Sequence, residues 1–413
     1  MLRITQILRQ LDATHPQTPG MTGTIRTTTH PPKKIPEIHP SGTAEKIHAA
    51  SPPGPVIVWN LTRRCNLNCL HCYSSSSDRD FSGELTTQEA MDLLTDLQQC
   101  RVPALILSGG EPLLRHDLFD LVRMAKSLGF YLGLSTNGTL LSPAVAERLA
   151  QAGFNYVGIS LDGLREQNDH MRGDAGAFDR ALAGLRACRE QGVKAGLRFT
   201  LTEANAADFS ALLDLATREG VERIYLSHLN HAGRGQANLQ MAPTPATTRT
   251  IMTHIFQTAL ADLQQGSLRE FVSGNNDADG PFLLDWIRAH LPAKEAAAQT
   301  ILQRWGGNAS GVGIANIDNR GNVHPDIFWW NHSLGNVRTT PFSRIWSDAN
   351  PDPLLRGLRQ KPRPLEGRCG QCHYLTICGG NTRVRAFQAT GNPWAADPGC
   401  YLADNEIGVQ EKK

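Results

Sequence analysis

Arg64-Cys65-Asn66-Leu67-Asn68-Cys69-Leu70-His71-Cys72-Tyr73 sets three cysteines at i, i+4 and i+7, directly after the apolar run Val56–Trp59, which reads as a strand. Three thiolates can hold three irons of a 4Fe-4S cluster and leave the fourth without a protein ligand. An iron left open accepts a small molecule, so such a cluster is a reagent as well as an electron carrier. The same spacing would also put three buried cysteines on one helix face. Asn66, Asn68 and His71 among the thiols argue against a packed apolar face.

The rest of the composition bounds the setting. At 413 residues the chain is long enough for two or three domains with real cores. Lys plus Arg number 41 against 39 for Asp plus Glu, a net charge of +2 that favours neither a nucleic-acid groove nor a polybasic membrane face. No apolar run approaches a membrane span, and Met1–Leu11 is short and amphipathic, unlike a signal peptide. The expectation is a cytoplasmic protein whose nine cysteines are reduced, so metal or cluster ligation outranks disulfides.

Along the chain, Met1–Leu11 reads as a short helix and residues 12–55 as a Pro, Thr, His and Gly linker whose His15, His30, His39 and His48 have no metal-site spacing. The stretch 55–230 is regular. Val56–Trp59, Ala104–Leu107, Tyr131–Leu134, Tyr156–Ile159, Lys194–Leu201 and Arg223–Leu226 read as strands, with helices near Thr87–Cys100, Asp117–Leu128, Pro143–Ala152, Ala177–Gln191 and Ala207–Glu219. Six strand–helix alternations with runs this apolar predict an α/β fold, a parallel sheet closed into a partial (β/α)6 TIM barrel with its chemistry at the strands' C-terminal ends.

Those ends are polar: Ser108-Gly109-Gly110-Glu111-Pro112, Ser135-Thr136-Asn137-Gly138, Ser160-Leu161-Asp162-Gly163, Thr200-Leu201-Thr202 and Ser227-His228. Each alone is an ordinary turn. Five on one rim beside the cysteine loop make a site, in which glycines admit a ligand to the backbone and Glu111 offers an anion to an amino group. Residues 231–309 read as a helical bridging region, with helices Ala242–Gln264 and Phe282–Arg304 joined by the polar run Ser273–Asp279. Residues 310–413 read as a small domain opened by a hairpin over Gly311–Pro325. In it Cys369, Cys372, Cys378 and Cys400 supply four thiols, the number for a fully ligated 4Fe-4S cluster or for zinc, and the wide gaps favour the cluster. Cys100 and Cys188 read as core fillers.

Cys65-x3-Cys69-x2-Cys72 with Gly109-Gly110-Glu111 resembles the radical SAM superfamily, over about 55–230. The resemblance implies that the three cysteines ligate a 4Fe-4S cluster and that S-adenosylmethionine chelates its open iron, to yield a 5′-deoxyadenosyl radical. It implies that Gly109, Gly110 and Glu111 hold the methionine amine, Ser135, Thr136 and Asn137 the ribose side, and Ser160 and Arg172 the carboxylate. The C-terminal part resembles a trimmed SPASM domain, an iron-sulfur module. Asp326 and Thr382 stand where that family has cysteines, which leaves one auxiliary cluster on Cys369, Cys372, Cys378 and Cys400.

A narrower likeness runs through Met1–Arg9, Val58–Leu61, Leu226–Asn230, Phe271–Asp279 and Trp305–Gly311, which resemble the radical SAM enzymes of haem d1 biosynthesis. It implies a tetrapyrrole substrate, 12,18-didecarboxysirohaem, from which two propionates are lost, and an electron donor such as ferredoxin or flavodoxin. A tetrapyrrole carries carboxylates around a wide apolar plane and calls for guanidinium or amide donors over apolar walls. The candidates are Arg198, His228, Asn230 and Arg234 near the barrel mouth, with Asn275 and Asn276 from the bridge; His231, Asn308, Trp329, Trp330 and His332 form a second rank. Rival readings are a SPASM-type peptide-modifying enzyme, another haem-pathway radical enzyme such as a sirohaem-route decarboxylase, and a non-enzymatic iron–sulfur carrier.

Overall fold

The computed structural model describes residues 1–12 and 54–409; the linker histidines lie outside the described residues. The strands are β1 (Leu2–Arg3), β2 (Val56–Asn60), β3 (Ala104–Ser108), β4 (Tyr131–Thr136), β5 (Tyr156–Ser160), β6 (Ala195–Leu201), β7 (Arg223–His228), β8 (Glu270–Gly274), β9 (Ile314–Ile317), β10 (Asn322–His324) and β11 (Gly335–Asn336). They form one sheet in the order β1-β8-β7-β6-β5-β4-β3-β2-β9-β10-β11. β2 to β8 run parallel to one another and β9 runs parallel to β2, while β1, β10 and β11 are antiparallel. This is the expected α/β fold with a parallel sheet.

Helices Thr87–Gln99, Leu118–Ser127, Pro143–Gln151, Ala177–Glu190 and Phe209–Arg218 carry the crossovers. Their starts are written locally: Thr86 and Glu89 make a capping box, and Ser142 caps a helix whose next residue is Pro143. Alternation along a strand sorts the two faces. On β6, Leu197 and Phe199 are buried toward the helix layer, where Phe199 meets Phe209 at 5.3 Å between ring centroids. Arg198, between them, belongs to the opposite face. Each fully buried aliphatic or aromatic side chain of this layer contributes about 1.5–3 kcal/mol.

Three features differ from the sequence reading. The stretch 231–309, expected as helical, also supplies β8, so the parallel series has a seventh strand and Ser273-Gly274 ends it. The helix expected over Phe282–Arg304 is two, Asp279–His290 and Glu295–Trp305, because Pro292 lacks the amide hydrogen that a continuous helix requires. An unforeseen helix, Arg165–Arg172, follows β5 and brings Arg172 to the rim.

The N-terminal segment is part of the sheet. Leu2 pairs with Ser273 and Arg3 with Val272, and Ile4, Ile7, Leu8 and Leu11 of the helix that follows are buried in the core. Thr5 is buried too, and its hydroxyl oxygen accepts from the Phe271 amide at 2.9 Å. Removing that acceptor strands a buried N–H, at a cost of about 1–3 kcal/mol. Thr5→Val is therefore expected to lower the thermal midpoint and speed hydrogen exchange at Phe271. An unchanged midpoint with unchanged exchange would show that this contact holds nothing.

Candidate functional site

The cysteine loop leaves the end of β2 without secondary structure of its own, so its backbone groups need partners. The turn after β3 supplies them: Gly110 donates to the Thr62 carbonyl at 2.7 Å and Glu111 to the Arg64 carbonyl at 2.9 Å. A Cβ at position 110 would lie 2.2 Å from the Arg64 oxygen, so only glycine lets the two backbones approach. On its far side the loop bonds Cys65 N–H to the Ser77 carbonyl and Leu70 N–H to the Met171 carbonyl.

Glu111 is fully buried. Its Oε1 accepts from the Thr136 hydroxyl at 2.8 Å and the Leu113 amide at 3.1 Å, and its Oε2 from the Asn137 amide at 2.9 Å. Burial outweighs those donors and pushes its carboxyl up to about 7. The Asn137 side-chain amide stands 3.8 Å from the Cys65 sulfur. Ser135 and Ser160 are half-buried on the same rim.

On the β5 side, Asp162 is the organising group. Fully buried, it takes Arg172 Nη2 at 2.5 Å and His71 Nε2 at 3.2 Å, and Arg172 Nη1 lies 3.8 Å from the Cys69 sulfur. Burial holds His71 down at about 4, which keeps its ring neutral at ordinary pH. Asp162 stood in a polar strand end that the sequence displayed, but its partnership with residues 71 and 172 is long-range and carries no sequence signal.

The donor set fits a cluster with three protein ligands. All three thiols are free of disulfides, and amides of Leu67 and Ser76 point at the Cys65 and Cys72 sulfurs at 3.4 Å. Burial pushes the Cys65 thiol up to about 12 and raises Cys69 as well. Such thiols ionise only beside added positive charge, which bound iron supplies.

Cys369, Cys372, Cys378 and Cys400 form one neighbourhood. Burial first, then the charges of Asp277 and of the other three cysteines, raises Cys378 well above the ordinary thiol range. Backbone amides of Asp397 and Tyr374 point at the Cys369 and Cys372 sulfurs at 3.5 and 3.4 Å. Among the described residues no group of three His, Cys, Asp or Glu side chains is placed to hold a single metal ion. The positions that lack cysteine are filled by hydrogen bonding: Asp326 accepts from the Ser310 hydroxyl and the Phe328 amide, and the Thr382 hydroxyl donates to the Asn275 carbonyl. Cys188 is a core residue and Cys100 packs at the core's margin, as expected.

The substrate candidates divide. Arg234 braces the cysteine loop, its Nε donating to the Cys69 carbonyl at 2.6 Å and its Nη1 to the Ser76 carbonyl at 2.8 Å, while its Nη2 is buried without a partner. His228 is also committed, since its Nε2 meets Asp279 at 3.0 Å, and Asp279 in turn accepts from the Tyr401 hydroxyl. Asn276 joins the Gly399 carbonyl to the Asn381 amide, and Asn275, at φ +68°, donates to the Ser227 hydroxyl. Arg198 lies over the Tyr225 ring, and Asn230 is buried with both amide atoms unpartnered.

Two outcomes follow from this geometry. Gly110→Ala forces the two motifs apart and is expected to reduce the iron retained after anaerobic reconstitution by about one cluster's share; full retention would disconnect the turn from the loop. Glu111 binds its proton more tightly folded than unfolded, so its contribution to stability is present at low pH and is lost as pH rises from about 4.5 to about 7. In iron-free protein Glu111→Gln is expected to flatten a slope worth up to ~3 kcal/mol across that window, read by denaturant unfolding.

Comparison with known proteins agrees with this architecture. The model of the Radical SAM superfamily matches residues 59–216. The pre-heme d1 synthase of Dinoroseobacter shibae is 52% identical over 363 residues, 87% of this chain and 89% of that protein. The Fe-coproporphyrin III synthase of Methanosarcina barkeri is 43% identical over 361 residues, 86% of this chain and 90% of that protein. Streptococcus suis SuiB bound to S-adenosylmethionine shares the fold at a TM-score of 0.65 and 18% identity, across 85% of this chain and 78% of that one. With relatives this similar along most of both chains, the protein belongs to the radical SAM superfamily and is an S-adenosylmethionine-dependent enzyme.

Proposed function

We propose that this enzyme removes two propionate side chains from 12,18-didecarboxysirohaem on the way to the oxo groups of haem d1. The observation that carries the reading is the 52% identity, along 87% of the chain, to a pre-heme d1 synthase. When bound, the reduced cluster and S-adenosylmethionine supply a 5′-deoxyadenosyl radical, which can take hydrogen from a saturated propionate arm that no acid or base here could ionise.

The chain's own residues do the holding. Cys65, Cys69 and Cys72 carry the cluster. Gly109, Gly110 and Glu111 face the methionine amine, with Ser135, Thr136 and Asn137 on the ribose side and Ser160 and Arg172 toward the carboxylate. Asp162 fixes Arg172 in that task. Cys369, Cys372, Cys378 and Cys400 carry an auxiliary 4Fe-4S cluster in a SPASM-like domain over 310–413, beyond the barrel at 55–230 and the bridge at 231–309. Among the described residues no helix is long and apolar enough to cross a membrane. The setting proposed is cytoplasmic, with ferredoxin or flavodoxin as the electron donor.

A second reading, a sirohaem-route decarboxylation, is favoured by the 43% identity to an Fe-coproporphyrin III synthase. One anaerobic reaction separates the two. Reduced, reconstituted protein is given S-adenosylmethionine and 12,18-didecarboxysirohaem, and the tetrapyrrole is followed by mass spectrometry. Loss of propionate mass alongside 5′-deoxyadenosine is the expected result, whereas mass lost from the acetate arms would support the second reading. Cys65→Ala is expected to abolish 5′-deoxyadenosine, and Cys400→Ala to stop product while sparing some sulfonium cleavage. Full activity of the Cys65 variant would sink the radical mechanism.

A further inference from the structure

The inner face of the sheet carries two arginines laid on tyrosine rings, and they differ in one respect. Arg223 lies 5.0 Å from the Tyr156 ring centroid and is answered by Glu270, at 3.6 Å. Arg198 lies 4.7 Å from the Tyr225 centroid. Among the described residues its guanidinium has neither an ion pair nor a hydrogen bond. Arg198 is half-buried, and a guanidinium drawn partly out of water without an anion is unfavourable. Its ring shelf fixes the planar fork at little entropic cost and leaves the N–H edges open.

The fold makes room for this arm. A Cβ on Gly158 would sit 2.8 Å from Arg198 Cδ, so glycine there admits the side chain. In register Arg198 is the partner of Ser160 on one side and Tyr225 on the other. Ser160 is the last residue of β5, one of the polar strand ends of the rim, so Arg198 lies at that end of the sheet. Just past β7, Asn230 is 5% exposed and neither atom of its amide has a partner. A buried amide left open on both ends calls for a ligand with polar atoms.

We infer that Arg198, braced on Tyr225 and assisted by Asn230, is the seat for one carboxylate of the tetrapyrrole, which it grips through paired N–H groups. The inference rests on the function proposed above and deepens it: this guanidinium has no ion pair or hydrogen bond among the described residues, whereas Arg234 gives Nε and Nη1 to the cysteine loop and keeps only a buried Nη2 open. The methionine carboxylate of S-adenosylmethionine is the other possible source of the anion, and the test separates the two.

The full chain, reconstituted and kept anaerobic, is titrated with 12,18-didecarboxysirohaem, with its methyl ester and with iron coproporphyrin III, followed by tetrapyrrole absorbance. S-adenosylmethionine affinity is measured in parallel by calorimetry. Arg198→Gln is expected to weaken binding of the free acids at least tenfold and Arg198→Lys less, because lysine keeps the charge without the fork. The ester should bind wild type and Arg198→Gln alike, with S-adenosylmethionine affinity unchanged. Equal binding of the acids by wild type and Arg198→Gln would overturn the inference, as would equal loss of acid and ester, or a loss confined to S-adenosylmethionine. Should wild type bind iron coproporphyrin III and not 12,18-didecarboxysirohaem, the haem d1 reading falls, and the same Arg198 comparison on coproporphyrin decides the seat. If wild type binds none of them, both fall.

Discussion

Two main-chain hydrogen bonds, from Gly110 to Thr62 and from Glu111 to Arg64, set the terms for everything at the rim. The cysteine loop is a long irregular segment, and irregular backbone stays in place only where its polar groups are answered. Here the answer comes from the neighbouring strand's turn, at a distance only glycine permits. Once the turn is seated, Glu111 is driven inside and collects donors from Thr136, Asn137 and Leu113. Asn137 in turn reaches back to Cys65. The ends of β2, β3 and β4 are thereby stitched into one ring around the thiols.

The opposite flank is held by charge. Asp162 binds Arg172 and His71 together, with almost no solvent at any of the three. A buried pair of this kind gains little net stability, because desolvation offsets most of the attraction. What it contributes is placement: with Asp162 fixed by the Thr200 and Asn168 groups around it, the arginine has one direction in which to point. Arg234 completes the enclosure from the start of a short helix, Arg234–Ala237, 165 residues away in sequence from Cys69. The cysteine loop is thus gripped by backbone on one side and by two guanidinium groups on the others.

How much of this was legible depends on range. The strands and helices of 55–230 could be read because period, caps and turn residues are local, and the cysteine and Gly-Gly-Glu motifs are local too. β8 escaped because Glu270–Gly274 is short and runs into the polar stretch Asn275–Asp279, which reads as a connection. Arg234 reads from sequence only as a candidate carboxylate anchor, because nothing near it reveals that the Cys69 and Ser76 carbonyls stand within reach. His228 reads as a substrate candidate for the same reason, since its partner Asp279 is 51 residues on. Side-chain partnership across the fold, unlike periodicity, leaves no trace in a local window.

The pairing of β1 with β8 has a consequence for how the chain comes to be folded. Leu2 pairs with Ser273 and Arg3 with Val272, so this segment acquires its sheet partner only once the chain has been extended as far as β8. Until then its apolar helix face, with Ile4, Ile7, Leu8 and Leu11, has no core to enter. Closing so wide a loop costs entropy that nearby contacts cannot repay early, which places this step late in assembly. During synthesis, then, the growing barrel presents the bare edge of β7 and later of β8 until the segment that seals it, already made, docks there.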